Sequence, residues 1–117
     1  MKHPIDKAIS ILAKIKQLGC EEVIVCPGGR NAPFVEVLSK NSVFKTQSLF
    51  EERSAGFYGC GLTKKSNKPV AVITTSGTAV AELLPSVIEA YYQGLPLIVI
   101  TADRPKSYRG SGAPQSI

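Results

Sequence analysis

Ile5, Ala8, Ile9, Leu12, Ile15 and Leu18 recur at the three- and four-residue spacing of one helical face, and Gly19 stands where such a helix would close. A first helix is expected over residues 4–18. Val23-Ile24-Val25 is then a short unbroken apolar run ending in Pro27-Gly28-Gly29, the pattern of a strand buried on both faces and followed by a sharp loop. Asn31 is placed to cap a second helix, with Pro33 in its first turn and Phe34, Val37 and Leu38 turned inward. A second strand is expected within residues 43–50, interrupted by polar side chains, and a third helix from Glu52 or Arg53 to about Lys65. The segment PVAVITTSG, rich in β-branched residues and bounded by Pro69 and Gly77, is the strongest strand of the chain. Residues 78–93 predict one helix that Pro85 can kink and Gly94 ends; PLIVITA repeats the buried-strand pattern before the loop DRPKSYRGSGAPQ.

Strands alternating with helices predict parallel pairing through right-handed crossovers. The fold class is therefore α/β, a doubly wound, mostly parallel sheet with helices on both faces. In such sheets ligands sit beyond the carboxyl ends of the strands. CPGGRN, EERS, TSGT and ADRP each follow an expected strand, so all four should converge on one edge.

Composition narrows the chemistry. A length of 117 residues suits one small domain, and 44% hydrophobic with 20% charged residues is ordinary for a folded soluble chain. No apolar run reaches the length of a membrane span and residues 1–10 lack the apolar centre of a secretory signal, which points to the cytoplasm. Three cysteines, Cys20, Cys26 and Cys60, without C-x-x-C spacing, support neither a disulfide framework nor a zinc site. The net charge of +5 is carried by scattered lysines with no interleaved aromatics, so nucleic acid is not the expected partner. Arg30, Arg53, Arg104 and Arg109 instead stand beside Gly, Ser or Pro, which points to small anions.

Each polar cluster admits a plain reading and a functional one. CPGGRN is either an ordinary turn from strand to helix or a backbone-hugging loop that presents an arginine; it matches neither common nucleotide fingerprint. TSGT either caps a helix or offers amides and hydroxyls to an anion. ADRP is either a surface ion pair or a tether for Arg104. In EERS, a helix begun at Glu52 carries Gly56, Gly59, Cys60 and Thr63 on the same face, so another body can come close beside that carboxyl, where burial would let it share a proton with a ligand. Equally, both glutamates could simply complement the positive end of the helix.

The ordered set PGGRNAP, FEERSAGFYGCGL, PVAVITTSGTAVAELLPSVIEAYYQGLPLIVITADRP and RGSGAPQSI resembles the N-terminal, pyrimidine-binding region of the 2-succinyl-5-enolpyruvyl-6-hydroxy-3-cyclohexene-1-carboxylate synthases, from about Ile5 to Ile117. These are thiamine-diphosphate-dependent enzymes of menaquinone biosynthesis; the SGTA, TADRP and GAPQ stretches separate them from acetohydroxyacid-synthase relatives, which usually carry Pro-Gly after the Ser-Gly. The resemblance implies decarboxylation of 2-oxoglutarate on the cofactor and addition of the succinic semialdehyde unit to isochorismate. It implies that Glu52 is the catalytic and cofactor-binding glutamate, placed on ring nitrogen N1′ of the aminopyrimidine. It implies that Pro27, Gly77 and Thr78 lie near the cofactor, and that Gly29, Arg30, Arg104 and Gln115 lie on the substrate side.

Thiamine diphosphate and magnesium would both need a diphosphate-binding domain, contributed by a second subunit of a homo-oligomer. The expected organisation is residues 1–117 as a truncated N-terminal domain, inactive by itself, with the central and diphosphate-binding domains absent from this stretch. Gly29, where serine is usual, Leu49, where histidine is common, and Glu51, where aspartate is more usual, depart from the pattern. Two alternatives stand beside this one: the pyrimidine-binding subunit of a split thiamine-diphosphate-dependent decarboxylase, and a non-catalytic α/β binding module, to which Gly29 lends weight.

Overall fold

The computed structural model describes residues 3–41, 43–103, 105–108 and 110–112. Among the described residues four strands, β1 (Glu22–Val25), β2 (Lys45–Ser48), β3 (Val70–Thr74) and β4 (Leu97–Thr101), form one parallel sheet in the order β2-β1-β3-β4. Val25 is level with both Ser48 and Ile73, and Thr74 with Thr101, so the strands end along one edge. The doubly wound α/β expectation is met.

Helices cover both faces because the strands are apolar on both. Val23, Val25, Ala71 and Ile73 bury against Ala8, Leu12 and Ile15 of α1 (Pro4–Gln17) and Phe34 and Leu38 of α2 (Ala32–Ser39). On the other face Ile24, Val70 and Val72 meet Ala55 of α3 (Glu52–Ser66) and Leu83. Period-two alternation along each strand thus feeds two cores, which is why β1 and β3 read as unbroken apolar runs. β2 is the polar edge strand, shorter than its expected span because β1 offers it only four partners.

The small-residue face of α3 does what its spacing implies. Ala55, Gly56, Gly59, Cys60 and Thr63 are all buried, and a Cβ on Gly59 would stand 2.9 Å from Leu97 Cδ1 and 3.1 Å from Val72 Cγ2. The helix lies directly on the sheet. Its other neighbour is α5 (Leu84–Gln93), where a Cβ on Gly56 would meet Ser86 Cβ at 2.7 Å.

Two expectations need correction. The single helix over residues 78–93 is divided into α4 (Thr78–Ala81) and α5, with Pro85 in the first turn of the second piece. The reason is geometric: proline lacks the amide that Ala81 would need four residues on, so the first helix stops there. Asn31 does occupy the position before α2, yet its side chain makes no cap and instead donates to the Cys26 carbonyl at 2.6 Å. Fully buried, it closes the β1–α2 loop on itself.

Gly56→Ala should destabilise the fold by about 1–3 kcal/mol, because buried Ser86 has no room to retreat. Gly61→Ala, on an exposed helix position with open space around it, should stabilise by about 0.5–1 kcal/mol. Urea unfolding of the two variants beside the wild type checks both signs.

Candidate functional site

The chain leaves β1 for β2 on one side and then returns to place β3 on the other, so the carboxyl ends of β1 and β3 flank a topological switch point. The loop over residues 26–31 and the turn over residues 75–78 leave the sheet there. They are locked together: the Arg30 amide donates to Thr75 Oγ1 at 3.0 Å, and a Cβ on Gly28 would stand 2.5 Å from Thr75 Cγ2. Only glycine permits that approach. On the opposite side Gly77, at φ 73°, turns the chain into α4 through a conformation that side-chain-bearing residues avoid.

A cleft of about 340 Å³ opens between these segments, lined by Pro27, Gly28, Gly29, Arg30, Glu52, Thr75, Ser76, Thr78 and Ala79. Pro27, Gly29, Arg30, Glu52 and Thr78 are thereby brought together as expected, and Gly77 is the buried turn residue between Ser76 and Thr78. Arg104 and Gln115 lie outside the described residues, as does Arg109. Three of the four polar clusters therefore supply the cleft. Arg53 is not among its lining and borders another depression, with Phe57, Tyr58 and Pro85.

The adjacent glutamates have different work. Glu51 is the residue before α3, and its carboxylate accepts from the Arg53 and Ser54 amides, both at 2.9 Å, and from Ser54 Oγ at 2.5 Å. The Ser54 hydroxyl and the two helix-end amides hold the Glu51 carboxyl below the usual glutamate range. Glu52, half-buried in the first turn, lines the cleft and makes no salt bridge or side-chain hydrogen bond among the described residues. Both glutamates thus stand at the positive end of α3, Glu51 as its cap and Glu52 in its first turn, and of the two it is Glu52 that lines the cleft. Beneath them burial, reinforced by the charges of Glu52 and Glu51, pushes the Cys26 thiol up to about 11, so it stays neutral.

Sequence reasoning missed Tyr108. It sits in a 3-10 turn (Lys106–Tyr108) after β4, and the Arg30 guanidinium lies over its ring with Cζ 5.6 Å from the centroid. No spacing rule links residues so far apart. Thr75 belongs to the TSGT cluster, read there as a helix cap or a donor to an anion, but that its hydroxyl takes the Arg30 amide was not legible from the sequence. Among the described residues no group of three His, Cys, Asp or Glu side chains could hold a metal ion.

The family model for "Thiamine pyrophosphate enzyme, N-terminal TPP binding domain" matches residues 7–117. The chain belongs to this family. Within the thiamine pyrophosphate enzymes it is similar to curated proteins named 2-succinyl-5-enolpyruvyl-6-hydroxy-3-cyclohexene-1-carboxylate synthase. The one from Bdellovibrio bacteriovorus is 53% identical over 112 residues, 96% of this chain and 21% of that protein. The one from Akkermansia muciniphila is 49% identical over 117 residues, 100% of this chain and 22% of that protein. The chain spans about a fifth of the length of these relatives. The residues present suit the family's cofactor at its ring end: an uncommitted carboxylate on a narrow cleft can accept a proton from a ring nitrogen. No helix among the described residues is long and apolar enough to cross a membrane.

Because the folded state holds Glu51 at a lowered pKa, its contribution is fully present above the unfolded value of 4.5 and fades as pH falls through the folded one. Glu51→Gln should therefore unfold at a lower temperature than wild type at neutral pH, and the gap should close in acid. Thermal unfolding followed by circular dichroism across pH reads this directly.

Proposed function

We propose that this chain is the N-terminal pyrimidine-binding domain of a 2-succinyl-5-enolpyruvyl-6-hydroxy-3-cyclohexene-1-carboxylate synthase, acting in the cytoplasm on 2-oxoglutarate and isochorismate. The carrying observation is Glu52, held on the switch-point cleft with its carboxylate uncommitted while Glu51 absorbs the helix end. The names of relatives that match nearly the whole chain support the same reading. Thiamine diphosphate, when bound, supplies a nucleophilic carbon able to take up a 2-oxo acid and release carbon dioxide.

Glu52 is assigned to the aminopyrimidine N1′, where it shares a proton with the ring. Glu52 heads the helix whose next turn carries buried Ala55 and Gly56. Pro27, Gly77 and Thr78 are assigned to the cofactor side of the cleft. Arg30, whose amide is pinned by Thr75, is assigned to a substrate carboxylate, with Gly29, Arg104 and Gln115 on the same side. Magnesium and the diphosphate are assigned to a diphosphate-binding domain of a second subunit. The exposed apolar positions Leu84, Val87, Ile88 and Tyr91 along α5 support an oligomer, since so large an apolar stripe is costly in water.

In the intact polypeptide carrying this chain, Glu52→Gln should lower 2-oxoglutarate decarboxylation by about 100- to 10,000-fold, the range of a lost acid–base group. Carbon dioxide release and isochorismate consumption measure it; a wild-type protein that does neither, or a variant as active as wild type, would overturn the assignment. Gly29 has open space where a side chain would go. Gly29→Ser should therefore keep the wild-type melting temperature and lower KM for 2-oxoglutarate by adding a hydroxyl beside Arg30, a change that steady-state kinetics resolves.

A further inference from the structure

Arg30 reaches the cleft with its amide tied to Thr75 Oγ1 at 3.0 Å, but a pinned backbone leaves a long side chain free to swing. No acidic group among the described residues pairs with it. What meets its guanidinium is the Tyr108 ring, 5.6 Å from Cζ to centroid. An aromatic face attracts the cation without accepting its N–H groups in the way a carboxylate would. The charge and the planar donor fork thus remain available to a ligand while the side chain is restrained. Tyr108 is itself fixed by its turn: its amide donates to the Pro105 carbonyl at 2.9 Å, and its own carbonyl accepts from Ser111 Oγ at 2.5 Å.

We propose that Tyr108 is a positioning residue, which holds the Arg30 guanidinium ready at the cleft for the carboxylate of the substrate. This rests on the reading of Arg30 given above. The segment after β4 thereby takes part in a site whose floor is built by β1 and β3, and it does so through an aromatic face rather than a charge. A carboxylate in place of the ring would neutralise Arg30 and compete with the substrate.

The test uses the intact polypeptide, with glutarate as a probe that carries two carboxylates but no 2-oxo group to lose. Tyr108→Leu should weaken glutarate binding by calorimetry, and raise KM for 2-oxoglutarate, each about two- to fivefold, the range an exposed cation–π contact supplies. The value of kcat should be unchanged. Tyr108→Phe, which keeps the ring, should stay at wild-type values, whereas a merely structural role of the hydroxyl would show in that variant. Arg30→Ala is the reference. If Arg30→Ala weakens glutarate binding and Tyr108→Leu does not, the positioning role is overturned and the reading of Arg30 stands. If Arg30→Ala changes neither quantity, the reading of Arg30 fails and takes the positioning role with it.

Discussion

The contact between Thr75 and the Gly28–Arg30 segment is the constraint on which the site depends. Two loops leaving adjacent parallel strands would ordinarily diverge, each following its own helix. Here the Thr75 side chain is packed where a Cβ on residue 28 would have to be, and its hydroxyl takes the Arg30 amide. One small interaction brings the ends of β1 and β3 together and gives the cleft its floor. Buried Asn31 completes the arrangement by bonding back to Cys26, so that the loop keeps its shape without help from outside.

The third wall comes from α3, and its place follows from the absence of side chains. Gly59 lets the helix rest on Val72 and Leu97, and Gly56 lets α5 press against it from the side. A helix held that close brings its first turn to the strand ends. Two neighbouring carboxylates then divide the tasks at that turn. Glu51 satisfies two of the amides that the helix start leaves open, and Glu52, in the same first turn, lines the cleft without a side-chain hydrogen bond among the described residues. Neutral Cys26 beneath them adds no competing charge.

Arginine enters the same logic from the other rim. Arg30 is restrained by an aromatic ring and by a backbone hydrogen bond, neither of which consumes its donors. The cleft therefore presents a carboxyl group and a guanidinium on opposite segments, neither in a salt bridge among the described residues, with hydroxyls and glycines between them. Such a pairing can take up a ligand that has both a basic ring nitrogen nearby and a carboxylate further out.

Periodicity by itself determined the layered α/β architecture, because strands buried on both faces must be apolar throughout and the helices that cover them must carry one apolar stripe. The same spacing put Glu52 at the head of a face of glycines, cysteine and threonine, but left the helix-end reading of both glutamates open, and its assignment to the cofactor came from the resemblance. The break at Ala81 lay within reach of the same reasoning, as Pro85 removes the amide that Ala81 would need. Other features were decided only in three dimensions. Which glutamate caps the helix depended on which carboxylate could turn back toward the Arg53 and Ser54 amides. That Asn31 bonds to Cys26 rather than capping α2, that Thr75 pins Arg30, and that Tyr108 meets Arg30 across the top of the sheet, all depend on residues far apart in the chain or on a loop's final shape. Local pattern carries the cost and gain of burying an element, but not the identity of the partner that folding sets against it.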